Sequence, residues 1–306
     1  MRMILSFEHV TKLYGPVIGV NNVTCRIGPG ITGLLGANGA GKSTLIKLGS
    51  GQLRPSQGQV RFDDLTAWST AAKRLFGYSP DLDRFYDDMT GREFVVTMAR
   101  LYGYSGREAR RRAELALEEV GMAPRAGRRL GGCSHGMRQR IKLAQALVHD
   151  PQVLLLDEPL NGIDPGGRRE INALLMELAG RGKTLVISSH ILAELERLVD
   201  RIIMISRGRI IASGTLAEVR GSLEDQPLLV EIASDRPRQL AALLAELPDV
   251  RGVEIRDDAL TVSTRQPARF FAEVGRLVGE HRFDVRRLQT LDAGAVAVFD
   301  YLERRA

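Results

Sequence analysis

The chain has 306 residues, 44% hydrophobic and 26% charged, which is the balance of a globular protein with a buried core and room for about two domains. Its net charge of +6 is compatible with an acidic partner or a membrane surface but requires neither. Only Cys25 and Cys133 are present, in no C-x-x-C pattern, which excludes a disulfide framework or zinc site and fits a reducing cytoplasm.

The N-terminal sequence MRMILSFEHV lacks the apolar core and the cleavage site of a signal peptide. No apolar stretch in the chain approaches the roughly 18 residues that are needed to cross a bilayer. If the protein acts at a membrane, we therefore expect another chain to span it.

The first 83 residues are predicted to be rich in strands and to contain a single helix. The runs LSFEHV, NNVTCRI, ITGLLG and GQVRF are short, apolar and bounded by Gly, Asn or Pro, as strands are. The helix is predicted to begin at Lys42 and to end at the glycines that follow Leu48.

Residues 84–150 have a helical pattern, and strands return after Pro151. The runs QVLLLDEP and KTLVISSH are continuously apolar, which is typical of parallel strands covered on both faces. The helical segment GGRREINALLMELAGRG lies between them, so the order predicts a βαβ unit and an α/β core.

The segment GSLEDQP, which begins at Gly221, has the composition of a linker. The residues after it alternate between strand and helix patterns and end in a last strand and helix. We expect residues 225–306 to form a second, small α+β domain, for which a ferredoxin-like arrangement is one candidate.

The segment GANGAGKST, residues 36–44, matches the phosphate-loop pattern G-x-x-x-x-G-K-[ST] between a predicted strand and helix. Glycines let main-chain N–H groups converge on phosphate oxygens, and the helix N-terminus adds positive potential. We expect Lys42 to reach the β and γ phosphates, Ser43 to bind Mg²⁺ and Thr44 to contact the α phosphate. The other loop residues expected to contact the nucleotide are Gly36, Asn38, Gly39, Ala40 and Gly41.

Two acidic residues, Asp157 and Glu158, end the buried strand of LLLDEP. Buried carboxylates are costly without a nearby cation, and a neighbouring phosphate loop supplies one. We expect Asp157 to hold Mg²⁺ through water and Glu158 to orient or deprotonate the attacking water.

The segments GANGAGKST, CSHGMRQR, LLLDEP, LNGIDP and VISSH occur in the order and approximate spacing of the ATP-binding cassette (ABC) ATPases. The resemblance covers residues 1 to about 220. It implies a P-loop NTPase (RecA-like) core with antiparallel β and α-helical subdomains, the helical one at about 84–150. The small domain at 225–306 is additional.

The resemblance also implies roles for three further residues. Tyr14 resembles the aromatic side chain that stacks on adenine, although packing against the protein is an equal alternative. Asp164 resembles the D-loop aspartate at the dimer interface. His190 resembles the switch histidine that contacts the γ phosphate.

The family's signature segment, usually Leu-Ser-Gly-Gly-Gln, corresponds to residues 133–137, CSHGM. Ser134 and Gly136 keep the hydroxyl and the small residue of the family pattern, so their helix N-terminus is expected to cap the γ phosphate of a partner's ATP. His135 replaces a glycine, and a surface position is the favoured interpretation. If it faces the γ phosphate instead, its charge is expected to titrate near neutral pH.

A second departure lies in GYSPDLDRFY, where cassette ATPases usually have a glutamine near the position of Asp81. The family's amide touches Mg²⁺ there, and a carboxylate is a harder ligand. We expect Asp81 to face the metal, with Asp83 as the alternative register.

The predicted function is the ATP-binding and ATP-hydrolysing subunit of an exporter-type ABC transporter, with ATP and Mg²⁺ as ligands. We expect a homodimer or a dimer with a close homologue, located at the cytoplasmic face of the membrane. There it is expected to bind a separate permease through the surface of residues 78–94. One alternative is a soluble ABC ATPase that acts on nucleic acid or ribosomes, which the absence of a second cassette or a long insertion disfavours, so no nucleic acid is expected. Another alternative is an inactive scaffold, which the presence of Lys42 and Glu158 opposes.

Overall fold

The computed structural model describes residues 4–83, 85–190, 195–196, 198–221, 228–257 and 259–291. The chain divides into two compact units, Met1–Ser213 and Gly214–Ala306. This division precedes the linker predicted at 221–227, most of which lies outside the described residues. The helix predicted at the C-terminus also lies outside them.

The first unit contains ten described strands and six described α-helices. The strands are β1 (Leu5–Tyr14), β2 (Val17–Ile27), β3 (Gly30–Leu35), β4 (Gln57–Phe62), β5 (Leu65–Thr66), β6 (Phe76–Ser79), β7 (Val153–Asp157), β8 (Thr184–Ser189), β9 (Arg201–Ser206) and β10 (Arg209–Gly214). The helices are α1 (Lys42–Gly49), α2 (Thr70–Lys73), α3 (Gly91–Leu101), α4 (Gly106–Glu119), α5 (His135–Leu147) and α6 (Pro165–Gly180).

These strands form two sheets. The order in the first is β2-β1-β4-β5, with antiparallel neighbours. The second has the order β10-β9-β3-β8-β7-β6, and within it the five strands from β9 to β6 pair in parallel with one another. Because parallel strands end at the same edge of a sheet, the residues that follow β3, β7 and β8 lie close together.

The core of this unit explains why the continuous apolar runs become parallel strands. Every residue of β7 and of β8 is buried, as expected for strands that are covered on both faces. Helix α1 buries Leu45, Ile46 and Leu48 in the same core cluster, in which the rings of Phe62 and Phe76 stack 5.7 Å apart.

Helices dominate residues 85–150. Helix α3 begins with a capping box, in which Thr90 and Glu93 bond each other's main-chain N–H groups. The prediction of a single helix in the first 83 residues is wrong, because the short helix α2 is also present there. Ser69 stabilises it by accepting a hydrogen bond from the Ala72 N–H, a local cap that the strand pattern around it concealed.

The second unit contains a helix α7 (Leu216–Gly221) and a sheet with the order β12-β13-β11-β14, in which neighbouring strands are antiparallel. Its remaining elements follow in a βαββαβ order, which is that of the ferredoxin-like motif. They are β11 (Leu228–Ser234), α8 (Pro237–Ala245), β12 (Val250–Arg256), β13 (Ala259–Thr264), α9 (Pro267–His281) and β14 (Val285–Thr290).

None of the described helices is both long enough and apolar enough to span a bilayer.

Candidate active site

The predicted phosphate loop connects the end of β3 to the start of α1, and two of its glycines are required by close backbone approach. A Cβ atom at Gly36 would collide with the carbonyl oxygen of Ile205 on β9. Gly41, the N-cap of α1, has φ 111°, and a Cβ there would lie 2.6 Å from the Gly19 carbonyl oxygen. No side chain caps this helix, so the N–H groups of its first turn remain available to an anion.

The other loop residues differ in exposure. Asn38 and Gly39 are exposed at the tip of the loop, whereas Ala40 is buried in the core. Ser43 is exposed on the first turn of α1, and Thr44 is half-buried beside it. The loop therefore presents its main chain and the Ser43 hydroxyl to solvent, while its other end is anchored in the core.

Lys42 is buried and folds back over the loop. Its Nζ atom donates hydrogen bonds to the carbonyl oxygens of Gly36, at 2.7 Å, and Ala37, at 3.3 Å. The same nitrogen lies 3.6 Å from Oε1 of Glu158. The ammonium group is thus held where β3 and β7 both end, as the phosphate-loop prediction requires.

Glu158 lies between two candidate catalytic side chains. One carboxylate oxygen faces Lys42, and the other, Oε2, lies 3.0 Å from Nδ1 of His190. The main chain of Glu158 has φ 50°, a left-handed conformation that costs a non-glycine residue about 1 kcal/mol or more. Such local strain at a strand end is typical of functional sites, because the surrounding structure has to hold it.

Asp157 is buried at the end of β7, and a hydrogen bond joins it to Ser188, the residue that is paired with it on β8. The Ser188 hydroxyl donates to Oδ1 of Asp157 at 2.6 Å and accepts a hydrogen bond from the Glu158 N–H at 2.9 Å. Ser188 therefore fixes both acidic residues relative to each other. Sequence reasoning missed this residue, although its position directly before Ser189 and His190 in VISSH was a signal.

The three predicted metal-facing residues, Ser43, Asp81 and Asp157, line one cavity of about 380 Å³. They offer a hydroxyl and two carboxylates, the hard oxygen donors that Mg²⁺ prefers. Among the described residues no group of three or more His, Cys, Asp and Glu side chains is arranged to hold a metal ion. The donor set therefore fits Mg²⁺ when phosphate oxygens and water complete the coordination, as in other nucleotide sites.

Tyr14 projects from the end of β1 towards the start of α1. Its hydroxyl oxygen lies 3.5 Å from Oγ1 of Thr44, and the Nζ atom of Lys12 lies 5.5 Å from the centre of its ring. The ring packs against Gly19, where a Cβ would lie 2.7 Å from it, yet 44% of the residue is exposed. Both interpretations of Tyr14, packing and stacking on a base, are compatible with this position.

Ser134 is the N-cap of α5, and its hydroxyl accepts a hydrogen bond from the Met137 N–H at 3.3 Å. A Cβ atom at Gly136 would meet nothing within 4 Å, so the packing of this chain does not require a glycine there. The helix start is therefore an open surface, with a hydroxyl and a residue without a side chain.

His135 is half-exposed, but it is bonded to its own chain. Its Nε2 atom lies 3.0 Å from the Asn161 carbonyl oxygen, which also accepts a hydrogen bond from Gln139 Nε2 at 3.2 Å. The ring packs over Gly162, where the φ of 68° and the close contact with His135 both disfavour a larger residue. His135 therefore lies at the surface and is held there by contacts within its own chain.

Asp164 is the N-cap of α6, and its carboxylate accepts a hydrogen bond from the Gly167 N–H at 3.0 Å. This bond is the main reason that the pKa of Asp164 is lowered from its ordinary value. The side chain is therefore held as an anion at the end of the loop that begins at Glu158.

Lys42 follows β3 and is buried beside Glu158, one of two carboxylates at the end of β7, with β8 between these parallel strands. This arrangement defines a nucleotide hydrolase of the P-loop class. Residues 20–161 match the ABC transporter domain family. Together with the relatives described next, this match shows that the chain belongs to the ABC transporter family of ATP-binding proteins, as its motifs predicted.

Two relatives illustrate the similarity. An uncharacterised ABC transporter ATP-binding protein from Synechocystis sp. is 38% identical over 223 residues, which cover 72% of this chain and 62% of that protein. A Nod factor export ATP-binding protein I from Rhizobium sp. strain N33 is 33% identical over 270 residues, which cover 87% of this chain and 88% of the relative.

Solved structures of ABC cassettes have the same fold. An ATP-binding subunit of an ABC transporter matches with a TM-score of 0.66 and 29% identity, covering 72% of this chain and 93% of that structure. The cassette MJ0796, in a dimeric post-hydrolysis state bound to ADP and Pi, matches with a TM-score of 0.64 and 25% identity, over 69% and 98%. The chain is therefore an ATP-binding ATPase of the ABC type, with a P-loop NTPase core.

Proposed function

We propose that this chain is the ATP-binding and ATP-hydrolysing subunit of an exporter-type ABC transporter, in which ATP-driven closure of two such subunits acts on a separate membrane permease. The observation that carries the proposal is the position of Glu158, whose carboxylate lies between Lys42 and His190 at the edge where the parallel strands end. A general base has to lie within reach of the γ phosphate and its attacking water, and this edge provides that position.

In the proposed reaction, Lys42 exchanges its carbonyl partners in the loop for phosphate oxygens, and the free N–H groups of α1 bind the same triphosphate. Glu158 accepts a proton from the attacking water as the water oxygen bonds the γ phosphorus and the β–γ bridging oxygen leaves with ADP. His190 holds the Glu158 carboxylate through Nδ1 and contacts the γ phosphate. When bound at Ser43, Asp81 and Asp157, Mg²⁺ supplies charge neutralisation at the phosphate oxygens.

The proposed dimer places the signature helix of each chain against the nucleotide of the other. The open helix start at Ser134 and Gly136 supports this role, because it offers N–H groups and a hydroxyl to an anion without a side chain in the way. Asp164 is proposed to lie at the same interface. The similar cassette MJ0796 is a dimer with ADP and Pi, which supports the expectation of a homodimer or a close-homologue dimer.

The permease is proposed to bind the surface of residues 78–94. Leu82 and Tyr86 are about two-thirds exposed there, although both are large and apolar. Two large, exposed hydrophobic side chains within five residues support a protein contact at this segment. The name of the Rhizobium relative refers to export, and on that basis we propose the same direction, with the chain bound peripherally at the cytoplasmic face of the membrane.

The first test is Glu158→Gln, which keeps the shape of the side chain but removes the base. We expect ATP hydrolysis to fall by about 10² to 10⁴-fold while ATP binding remains, and we expect the variant to form a stable dimer with Mg-ATP. The matched control is Glu177→Gln on α6, which alters an exposed ion pair with Arg181. A Glu158→Gln protein that stays monomeric with saturating Mg-ATP, even with its permease, would contradict the proposed dimer.

The second test is purification of the chain from membranes under mild conditions, with and without Leu82→Ser and Tyr86→Ser. We expect a multi-helix membrane protein to co-purify with the unaltered chain and to be lost with the double variant. Specific co-purification of RNA or DNA in place of a membrane protein would contradict a transport function.

A further inference from the structure

A buried lysine in the signature helix holds the main chain of the residue that faces the proposed metal. Lys142 lies two turns into α5, and only 1% of its side chain is exposed. Its Nζ atom donates a hydrogen bond to the Asp81 carbonyl oxygen at 2.6 Å, across 61 residues of sequence. The same nitrogen lies 2.9 Å from Oδ1 of Asp83.

Burial of an ammonium group costs several kcal/mol unless its charge is paired and its N–H groups are bonded. Asp83 supplies the opposite charge, and Asp81 supplies the acceptor. Oδ1 of Asp83 is itself buried and makes no hydrogen bond in the part of the chain that the structure describes, so the contact with Lys142 is electrostatic. Each buried group therefore depends on the other.

The contact belongs to a stripe along one face of α5. Arg138 and His135 precede Lys142 at helical spacing, and both also face Asp83, with nitrogen to oxygen distances of 3.8 and 4.0 Å. Arg138 also reaches Asp87 at 3.4 Å. Arg138 and Lys142 thus bind the loop that contains Asp81 and Asp83 to the helix by charge, and Lys142 is the buried one of the two.

We propose that Lys142 is a positioning residue for ATP hydrolysis, which holds Asp81 in the cavity with Ser43 and Asp157 by fixing its main chain to the signature helix. Lys142 does not line the cavity, and it acts through Asp81. Because Ser134 caps the same helix about 12 Å away, the position of Asp81 in one site is linked to the helix end that faces the partner's site.

The inference rests on the proposed function in one respect, namely that Asp81 faces Mg²⁺.

Lys183 offers a matched control within the same unit. It is also buried, and its Nζ atom bonds Asp150 Oδ1 and, at 2.6 Å, the Pro151 carbonyl oxygen. Lys183 directly precedes β8 and lies about 16 Å along that strand from Ser188. It is therefore a buried lysine bonded to a carboxylate and a carbonyl, but at the end of the strands that is far from the proposed metal.

The experiment compares two double variants, Lys142→Met/Asp83→Asn and Lys183→Met/Asp150→Asn, each of which removes a buried charge together with its partner. Binding of N-methylanthraniloyl-ADP is measured with and without Mg²⁺ on the full chain. We expect the gain in affinity from Mg²⁺ to fall about tenfold in the first variant, as for loss of one charged hydrogen bond, and to stay unchanged in the second. Equal effects, or no effect in the first, would overturn the proposal.

Hydrogen exchange without nucleotide or Mg²⁺ supplies a readout that is independent of the metal. We expect peptides that contain Asp81 to exchange faster in the Lys142→Met/Asp83→Asn variant than in the Lys183→Met/Asp150→Asn variant. Should the first double variant fail to fold, Lys142→Met alone tests the same two readouts, because it removes the bond to Asp81 while Asp83 keeps Arg138 as a charged neighbour. If unaltered protein gained no affinity from Mg²⁺, the proposed metal site would fail, whereas unchanged exchange at Asp81 would overturn the role of Lys142.

Discussion

The ring of His135 and the main chain of Asn161 lie in direct contact, with Nε2 of the histidine 3.0 Å from the carbonyl oxygen. The signature segment and the loop that follows the acidic strand end are therefore joined within one chain. Gln139 bonds the same oxygen, and Gly162 lies under the ring. A residue that departs from the family pattern thus connects the two segments that are proposed to face the partner's nucleotide.

Replacement of His135 by glycine, the family residue, is expected to loosen this loop and lower the maximal rate of ATP hydrolysis about threefold to tenfold, because a positioning hydrogen bond is lost. His135→Gln, which keeps a side-chain donor, is expected to restore part of the rate. The measurement is the ATPase rate as a function of ATP concentration. A His135→Gly protein with unchanged rates would show that the contact has no role in catalysis.

The Ser188 hydroxyl is expected to stabilise the fold through its hydrogen bonds to Asp157 and Glu158. Ser188→Ala leaves a buried Asp157 oxygen without its donor and the Glu158 N–H without its acceptor, so we expect a loss of about 2 kcal/mol in the free energy of unfolding. Urea denaturation measures this loss. Ser188→Thr retains the hydroxyl and serves as the control, and equal stability of the Ala and Thr variants would contradict the prediction.

Because the main chain at Glu158 is left-handed, we expect the residue that serves hydrolysis to reduce the stability of the fold. Glu158→Gly relieves the conformational cost that Glu158→Ala retains, so we expect the glycine variant to be more stable than the alanine variant by about 1 kcal/mol. Both variants are expected to lose ATP hydrolysis. Thermal unfolding of the two proteins side by side is the measurement, and an alanine variant that is equally or more stable would show that φ carries no strain.

His149 predicts a loss of stability in mild acid. Burial lowers its pKa from 6.5 to about 4, and its Nε2 atom bonds the Phe76 carbonyl oxygen while its ring stacks on Tyr102. Above pH 6.5 the ring is neutral in both states. Between about pH 6.5 and 4 the unfolded chain binds a proton that the folded chain does not, so the free energy of unfolding falls as the pH falls.

This contribution amounts to about 1.4 kcal/mol per pH unit within that window. The comparison is urea denaturation at pH 7.5 and 5.5 for the unaltered protein and for His149→Phe, which keeps an aromatic ring on Tyr102 but cannot titrate. We expect the unaltered protein to lose about 1 kcal/mol more than the variant. Identical losses would mean that His149 is not neutralised by burial.

The sequence alone determined the phosphate loop, the acidic strand end and the helix start at Ser134. Each of these is a local feature, because a glycine at a tight turn, a buried strand that ends in carboxylates and a serine at a helix N-terminus act within a few residues of chain. The same reasoning gave the parallel core strands, since continuous apolar runs need cover on both faces.

Only the tertiary structure decided which residues support these motifs. Strand β9 is a short apolar run, and its place in the sheet is decided by parallel pairing with β3, which is far away in the sequence. Ser188, Lys142 and His135 reach partners that lie 31, 61 and 26 residues away. Such contacts depend on how sheets and helices pack, and burial makes them strong because water no longer competes for the same charges and hydrogen bonds.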